Sequence, residues 1–565
     1  MWDIPVFVGL SVWGIGAHAA ATSLTSPLGP VVDLGYTAYV GNSTSPTGQL
    51  NSTVTFFGGI RYVQPPLGDL RFRVPKDLDE TYNPNRTVVD ARSWGPICVQ
   101  QPAREGLDCL SLNIWKPTSA RASKKLPVIF YIHGGGFYAG SSPDFPMYDW
   151  VAQDQKVVAV SINYRLNLFG FLDGTAVRAN GTPNAGLLGK RAALLWIKRH
   201  ISAFGGDPDE VTISGESAGN VTSAAGCPTS GTEAMACLRA APLSALIKSI
   251  NNVRNNFLAY TLPLDHEIED VFGNVTSAAG CPTSGTEAMA CLRAAPLSAL
   301  IKSINNVRNN FLAPTIDAPN GFLPDPPCAA RLIAQGKFRR GIDLIAGHTS
   351  NDGRNFAGNP KNVNTDNDVR TAVTNRYRHV TSTTLDKILQ LYPSPNISGS
   401  PFVDNYDRAW TIMQDIIMGC MDQHWVNATL RTGRKDAYSY RFNVPNPVDF
   451  AANPWRGVGH TSDVYYMFNG ATGGTFHPFN TTEVPVAREI IQSTHVQTSL
   501  TRSGNPSAFK RAYSPVWPTY AENNRVVMSE DVGGNGNSTA SSVEAVLAFE
   551  QQRCQFWMSQ NETRV

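Results

Sequence analysis

Residues 211–219 read VTISGESAG, a short β-branched run followed by the pattern G-x-S-x-G. The run predicts a buried strand, and the two glycines let the backbone turn sharply out of that strand. A serine in the middle of such a turn is exposed at the end of a sheet, where its hydroxyl can act as a nucleophile. An ordinary serine in a turn is the alternative, so the assignment of Ser217 needs support from elsewhere in the chain.

A glycine-rich segment upstream supplies this support. Residues 133–137 read HGGGF and follow another apolar run at 128–132. Glycines let the backbone approach a substrate with its N–H groups free, and such groups stabilise the negative oxygen that forms when a hydroxyl attacks a carbonyl. We therefore predict an oxyanion hole formed by the backbone amides of Gly135, Gly136 and Ala218.

The remainder of the chain alternates apolar runs with helical patterns. Residues 187–201 have the spacing of a helix. Strands are predicted at 128–132, 157–162, 211–213, 344–346 and 438–442. This alternation is typical of an α/β fold with a large, mostly parallel central sheet covered by helices on both faces. Because no low-complexity linker interrupts residues 20–565, we predict a single domain there.

The N-terminus has the pattern of a signal peptide. Residues 4–17 are apolar, AHA at 17–19 is a small-x-small cleavage site, and the run is shorter than the ~18 residues of a membrane span. A buried N-terminal strand is the alternative, because no Lys or Arg precedes the run. Eleven N-x-S/T sequons agree with a glycoprotein. Residues 1–19 thus predict a secreted protein, and no stable membrane anchor is expected because no later stretch approaches the ~18 apolar residues of a membrane span.

Composition excludes some classes of partner. The formal net charge is +2 and no run of Lys or Arg stands out, so there is no electrostatic case for binding nucleic acid. The nine cysteines include no Cys-x-x-Cys pair, and no His-x-x-x-His set is present. Disulfides are therefore favoured over a metal site, and no cofactor is expected.

One stretch of sequence is duplicated. Residues 219–259 recur without a change at 273–313. Repeat architectures need three or more diverged units that stack, so two identical copies are not a structural array.

Taken together, the motifs resemble the type-B carboxylesterase/lipase family of α/β-hydrolases, which includes the cholinesterases. The matches span roughly residues 55–560. Besides the two glycine motifs, they are FGGIRY at 57–62, PPLG at 65–68, DCLSLNIW at 108–115, NYR at 163–165 and FGGDP at 204–208. The resemblance implies an α/β-hydrolase fold and a serine carboxylic-ester hydrolase that acts on a small-molecule ester through an acyl-enzyme.

The resemblance also implies the two partners of the serine. The family's acid lies in a segment like N-x-D-E-G-x-x-F, which TSNDGRNF at 349–356 matches, so Asp352 replaces the usual, longer Glu. The family's histidine lies in a segment like G-x-x-H-x-x-D/E, matched by GVGHTSD at 457–463, which implies His460 as the base. Because His460 must be neutral to accept a proton, activity is expected to rise through the ordinary histidine range, about pH 6–7.

Three disulfides follow from the same resemblance. They are Cys98–Cys109, Cys281–Cys291 with Cys227–Cys237 as its duplicate, and Cys420–Cys554, which leaves Cys328 over.

The chain departs from the family in ways that keep other functions open. Family members continue from the serine into another core strand, and the first copy of the duplication stands in its place between residues 221 and 272. We hypothesise that 273–313 is the native copy and that 219–259 is the insertion. A lipase or cholinesterase, a non-catalytic binding protein and an inactive product remain alternatives to an esterase of small to medium esters.

The loop between Cys98 and Cys109 predicts the response to aggregated substrate. It holds only ten residues, VQQPAREGLD, and no aromatic one. It is too short for the amphipathic lid of related lipases, and it lacks the Trp that binds a quaternary ammonium in cholinesterases. Soluble short-chain esters should therefore be hydrolysed below their solubility limit. A sharp jump in rate at that limit, measured across a concentration series, would contradict this expectation.

Overall fold

The fold is described from a computed structural model of the chain. It describes residues 24–43, 53–100, 106–153, 155–217, 265–305, 314–315, 343–376, 380–431, 433, 436–468, 470–472, 475–496, 506–507 and 510–559. The N-terminal segment, the first copy of the duplication, Ala218 and Cys328 lie outside these residues.

Two sheets form the centre of the molecule, and two small sheets accompany them. The first has five strands in the order β3-β5-β7-β6-β8, and the second has four in the order β14-β13-β10-β9. The strands are β1 Val31–Asp33, β2 Ala38–Val40, β3 Val54–Arg61, β4 Val88–Asp90, β5 Ser111–Pro117, β6 Leu126–Ile132, β7 Val158–Ile162, β8 Gly206–Gly215, β9 Leu344–Thr349, β10 Ala437–Phe442, β11 Ala471–Thr472, β12 Thr475–Phe476, β13 Asn524–Met528 and β14 Ser542–Ala545.

Parallel pairing occupies the middle of this architecture. β6 pairs in parallel with β7 and β8, and β10 pairs in parallel with β9 and β13. The antiparallel pairs are β5 with β7, β3 with β5, and β14 with β13, so β3 and β14 are the outer edge strands. The predicted strands are confirmed, although β8 begins at Gly206, before the β-branched run. Among the described residues, β8 and β9 are edge strands that do not pair with each other.

Helices surround the sheets. The predicted helix at 187–201 is confirmed as α4. The helices are α1 Tyr148–Ala152, α2 Asn167–Phe171, α3 Thr175–Asn180, α4 Ala185–His200, α5 Asp265–Ala278, α6 Thr286–Ala294, α7 Leu297–Asn305, α8 Asp366–Arg376, α9 Ser382–Leu391, α10 Asn405–Gln414, α11 Cys420–Arg431, α12 Pro447–Ala452, α13 Ser462–Met467, α14 Glu483–Ile490 and α15 Ala548–Ser559. No helix among the described residues is long and apolar enough to cross a membrane.

Strand β6 shows why both sheet faces are covered. Its side chains alternate between faces, as in any strand. Val128, Phe130 and Ile132 belong to one buried cluster, whereas Ile129 and Tyr131 belong to another. A strand that is apolar on both faces is typical of an α/β fold in which helices cover each side.

The two sheets share one of these apolar clusters. The cluster that holds Ile129 and Tyr131 also contains Tyr440 and Phe442 of β10 and Val526 of β13. One apolar layer therefore spans both sheets, and it fixes the position of the strand ends of one sheet relative to those of the other.

The second copy of the duplication is packed into the core. Val275 and Leu292 lie in a buried cluster with Phe169 of α2 and Leu172. Arg71 donates hydrogen bonds to the carbonyl oxygens at the C-terminal end of α6, at 2.7 and 3.0 Å. This arrangement supports the hypothesis that 273–313 is the native copy.

The duplication offers a matched pair of substitutions. Leu292 is fully buried, so Leu292→Ala should reduce the free energy of unfolding by about 2–5 kcal/mol through lost contacts and a cavity. Leu238 is the same residue of the first copy, which our hypothesis assigns to an insertion, so Leu238→Ala should change stability little. Thermal or denaturant unfolding of both variants measures the difference. Equal losses, or a larger loss for Leu238→Ala, would overturn the choice of native copy.

Candidate active site

Ser217 lies at the end of β8, in the turn that the glycine pattern predicts. Its backbone φ is +51°, a left-handed conformation that residues other than glycine rarely adopt. The side chain is almost fully buried. A serine held in this strained turn after a sheet strand has the geometry of a nucleophile elbow.

The predicted acid lies at the end of another strand. Asp352 begins a 3₁₀ turn, Asp352–Asn355, just after β9. One carboxylate oxygen, Oδ2, accepts a hydrogen bond from the backbone N–H of Thr349 at 2.7 Å. The other, Oδ1, lies 2.7 Å from Nδ1 of His460. The buried carboxylate is thereby held in one orientation with its free oxygen toward the histidine.

His460 is oriented by this contact. Since Asp352 accepts the proton of Nδ1, the second ring nitrogen, Nε2, is left to exchange a proton with another group. Nε2 lies 3.2 Å from Oε1 of Glu216, the residue before the elbow serine. Among the described residues no hydrogen bond joins Ser217 to the ring. Catalytic hydrogen bonds often tighten only when substrate is bound, so His460 stays a candidate base without a hydrogen bond to Ser217.

The glycine loop lies directly against the elbow. A Cβ atom on Gly134 would meet the backbone oxygen of Glu216 at 2.8 Å and Cβ of Ser217 at 3.1 Å. Gly135 and Gly136 have φ values of +98° and +65°, which place them in the left-handed region. Glycine is therefore required at these positions, and the predicted oxyanion loop is next to the predicted nucleophile. The third predicted donor, Ala218, lies outside the described residues.

Two groups that sequence reasoning missed hold this loop. Gln100, within the Cys98–Cys109 loop, accepts a hydrogen bond from the backbone N–H of Gly140 at 2.8 Å and donates to its carbonyl oxygen at 3.0 Å. Tyr164 donates from its hydroxyl to the carbonyl oxygen of His133 at 3.0 Å, and the two rings stack with centroids 4.5 Å apart. No spacing pattern marks Gln100, because its partner is a backbone 40 residues away.

His133 serves this packing rather than proton transfer. Its ring is buried, and burial lowers the pKa of His133 to about 3. A histidine that stays neutral at physiological pH stacks between aromatic rings without the cost of burying a charge. His460 is therefore the better candidate for the base.

Carboxylates surround His460 and change its acidity. Burial of the imidazole lowers the pKa of His460, but the negative charges of Glu216 and Asp352 outweigh burial and raise the pKa to about 9. Burial raises the pKa of Glu216 to about 7, although the charge of His460 opposes this. Burial and then the charge of Asp352 raise the pKa of Asp463 to about 6. The site thus favours the protonated imidazole more strongly than an isolated histidine would.

The described cysteines are paired in disulfides. Disulfides join Cys98 to Cys109, Cys281 to Cys291 and Cys420 to Cys554. Cys227, Cys237 and Cys328 are not among the described residues. Within the part of the chain that is described, no group of three His, Cys, Asp or Glu side chains could hold a metal ion.

Comparison with protein families decides where the chain belongs. The sequence model of the carboxylesterase family matches residues 29–557. The chain belongs to the carboxylesterase family. This carboxylesterase is accordingly a carboxylic ester hydrolase with the α/β-hydrolase fold, and its substrate is a small-molecule ester.

Individual relatives agree with the family. Secreted lipase 1 of Botryotinia fuckeliana (strain B05.10) is 29% identical over 462 residues, which cover 75% of the carboxylesterase and 79% of that lipase. Lipase 2 of Diutina rugosa is 30% identical over 415 residues, 66% of the carboxylesterase and 73% of that lipase. The crystal structure of Aspergillus niger EstA matches with a TM-score of 0.72 and 26% identity, covering 94% of the carboxylesterase and 98% of EstA.

The contact between Glu216 and His460 predicts how the activity of the carboxylesterase depends on pH. A general base must be neutral, so a pKa raised to about 9 moves the acidic limb of kcat/KM above the pH 6–7 expected from sequence. Glu216→Gln removes one of the charges that stabilise the imidazolium, so the limb should shift to lower pH. Rates on a soluble ester from pH 5 to 10 measure both profiles. A wild-type limb at pH 6–7, or one that Glu216→Gln leaves in place, would contradict the raised pKa of His460 and the part of Glu216 in it.

Proposed function

We propose that this carboxylesterase is a secreted serine esterase that hydrolyses small to medium esters through an acyl-enzyme. Ser217 is the nucleophile, His460 the general base and Asp352 the acid that orients the histidine. The observation that carries the proposal is the 2.7 Å hydrogen bond between Asp352 and His460 beside an elbow serine with positive φ. Together these supply an oriented base and a serine hydroxyl held in a nucleophile elbow.

The reaction follows from these groups. Oγ of Ser217 attacks the ester carbonyl carbon while its proton passes to Nε2 of His460. The amides of Gly135, Gly136 and Ala218 stabilise the tetrahedral oxyanion. Collapse of this intermediate breaks the bond between the former carbonyl carbon and the alkoxy oxygen. The departing alcohol takes the proton from His460, and the acyl group stays on Oγ of Ser217. A water molecule, deprotonated by the same histidine, then releases the carboxylic acid by the reverse steps.

Two observations bear on substrate and location. The relatives named above as lipases favour a lipase as the second candidate, whereas the short Cys98–Cys109 loop favours an esterase without a lid. The word "secreted" in a relative's name, the disulfides and the N-terminal apolar run support secretion. A hydrolysis series from short-chain to long-chain p-nitrophenyl esters separates the two candidates, because only a lipase prefers the long, water-insoluble chains.

The role of Ser217 predicts the result of its removal. Ser217→Ala should abolish ester hydrolysis, with a loss of roughly 10⁶-fold in kcat, because alanine has no hydroxyl with which to form the acyl-enzyme. The fold should persist, since the change deletes one oxygen. Hydrolysis of p-nitrophenyl butyrate and the thermal midpoint of unfolding are measured together. Ser214→Ala is a matched control on the preceding strand, and activity retained by Ser217→Ala would show that the nucleophile lies elsewhere.

A further inference from the structure

The loop that carries His460 is irregular and needs an external support. It comprises residues 457–461, between the 3₁₀ turn Pro454–Arg456 and α13. Gly457 and Thr461 have φ values of +59° and +70°, so the backbone reverses at both ends of the loop. A loop without helix or strand hydrogen bonds must satisfy its N–H groups in another way.

Two asparagines of the acid's segment satisfy them. Oδ1 of Asn351 accepts the backbone N–H of Val458 at 3.0 Å, and the N–H of Asn351 donates to the carbonyl oxygen of Val458 at 2.9 Å. Oδ1 of Asn355 accepts the backbone N–H of His460 itself at 2.9 Å. Asn351 precedes Asp352, and Asn355 ends the 3₁₀ turn that Asp352 begins.

Close packing shows that these contacts fix the loop. A Cβ atom on Gly457 would lie 2.5 Å from Oδ1 of Asn351, and one on Gly459 would lie 2.6 Å from Oδ1 of Asn355. Only glycine lets the loop approach each side chain this closely. The two amides thus hold the loop on either side of Gly459.

These hydrogen bonds form a closed ring of contacts between Asp352, His460 and Asn355. It runs from the carboxylate of Asp352 to the ring of His460, through the His460 backbone to the side chain of Asn355, and back along one 3₁₀ turn to Asp352. If the loop moved away, the bond to Asn355 and the bond to Asp352 would lengthen together. Aspartate is one methylene shorter than the glutamate of the resembled motif, so its carboxylate has less reach to follow such a movement.

We propose that Asn351 and Asn355 are positioning residues that set the distance between Asp352 and His460 by clamping the histidine loop to the acid's turn. This inference rests on the proposed function, in which His460 is the base. Catalytic groups must be held within about 0.5 Å of the productive geometry, and a displacement of about 1 Å can lower the rate 10²-fold. The clamp supplies that precision to an acid with a short side chain.

The test removes each acceptor without changing side-chain volume much. Asn351→Leu and Asn355→Leu should each lower kcat on p-nitrophenyl butyrate about 10-fold and together about 10²-fold, with KM within about 2-fold of wild type. Asn359→Leu is the matched control, because Asn359 accepts a backbone N–H from Lys361 in the same segment, and no hydrogen bond among the described residues joins its side chain to the histidine loop. The control should keep the wild-type kcat.

The pH profile separates positioning from a merely structural role. Three carboxylates act on His460, those of Glu216, Asp352 and Asp463. If the clamp sets the contact with Asp352, the leucine variants weaken that contact, and the acidic limb of kcat/KM should move to lower pH. Asn351→Asp and Asn355→Asp keep an oxygen acceptor in place, so they should keep most of the wild-type kcat when it is measured above the acidic limb.

Three results would contradict the proposal that Asn351 and Asn355 clamp the histidine loop. Leucine variants that keep the wild-type kcat and limb while wild type hydrolyses the ester overturn the clamp and leave the proposed function standing. Leucine variants that lose kcat and thermal stability alike, with no shift of the limb and no rescue by aspartate, also overturn it. A wild-type protein that hydrolyses no ester overturns both the clamp and the proposed function.

Discussion

The hydrogen bond between Asp352 and His460 joins parts of the chain that are 108 residues apart. Its geometry depends on the sheet, because Asp352 follows β9 and the loop of His460 follows β10, the strand that pairs with β9 in parallel. Parallel strands end at the same edge, so loops that follow neighbouring strands meet there. The shared apolar layer beneath both sheets then fixes where that edge lies relative to Ser217 at the end of β8.

Burial gives this hydrogen bond its chemical effect. Asp352 and His460 are largely shielded from water. Charges in such a buried site interact more strongly than charges at a surface. Glu216 adds a second carboxylate at the opposite ring nitrogen, so the imidazolium is stabilised from both sides. A base of this kind binds a proton tightly once it has taken it from serine. The same property keeps His460 protonated at neutral pH. The stronger base is therefore neutral, and able to accept a proton, over a narrower range of pH.

Much of this arrangement could be predicted from sequence, for identifiable reasons. Apolar β-branched runs predicted β6, β7 and β8 because buried strands need them, and the glycine patterns predicted the elbow and the loop beside it because only glycine tolerates those backbone conformations. The segments around Asp352 and His460 were recognisable only through a resemblance, since a lone acid or histidine carries no pattern of its own.

The remaining contacts depend on how distant loops approach one another. Gln100, Asn351 and Asn355 bind backbone groups far along the chain, and backbone N–H groups have no sequence signature. The contact of Glu216 with His460 likewise depends on which way the elbow turns. The two copies of the duplication differ in their flanks alone, so sequence could offer a hypothesis about the native copy, and the burial of Leu292 now supports it.

The central claim is that Asp352 makes His460 an effective base for Ser217. The most direct measurement is the rate at which a fluorophosphonate probe adds to Ser217 in wild type and in Asp352→Asn, followed by intact mass and located by peptide mapping. The amide keeps the size of the side chain but no longer favours the ring tautomer with its proton on Nδ1, and such a change lowers kcat about 10⁴-fold in serine protease triads. We predict one adduct, at Ser217, and a loss of labelling rate of that order in Asp352→Asn. Equal labelling rates in the two proteins, or an adduct on another residue, would contradict the account.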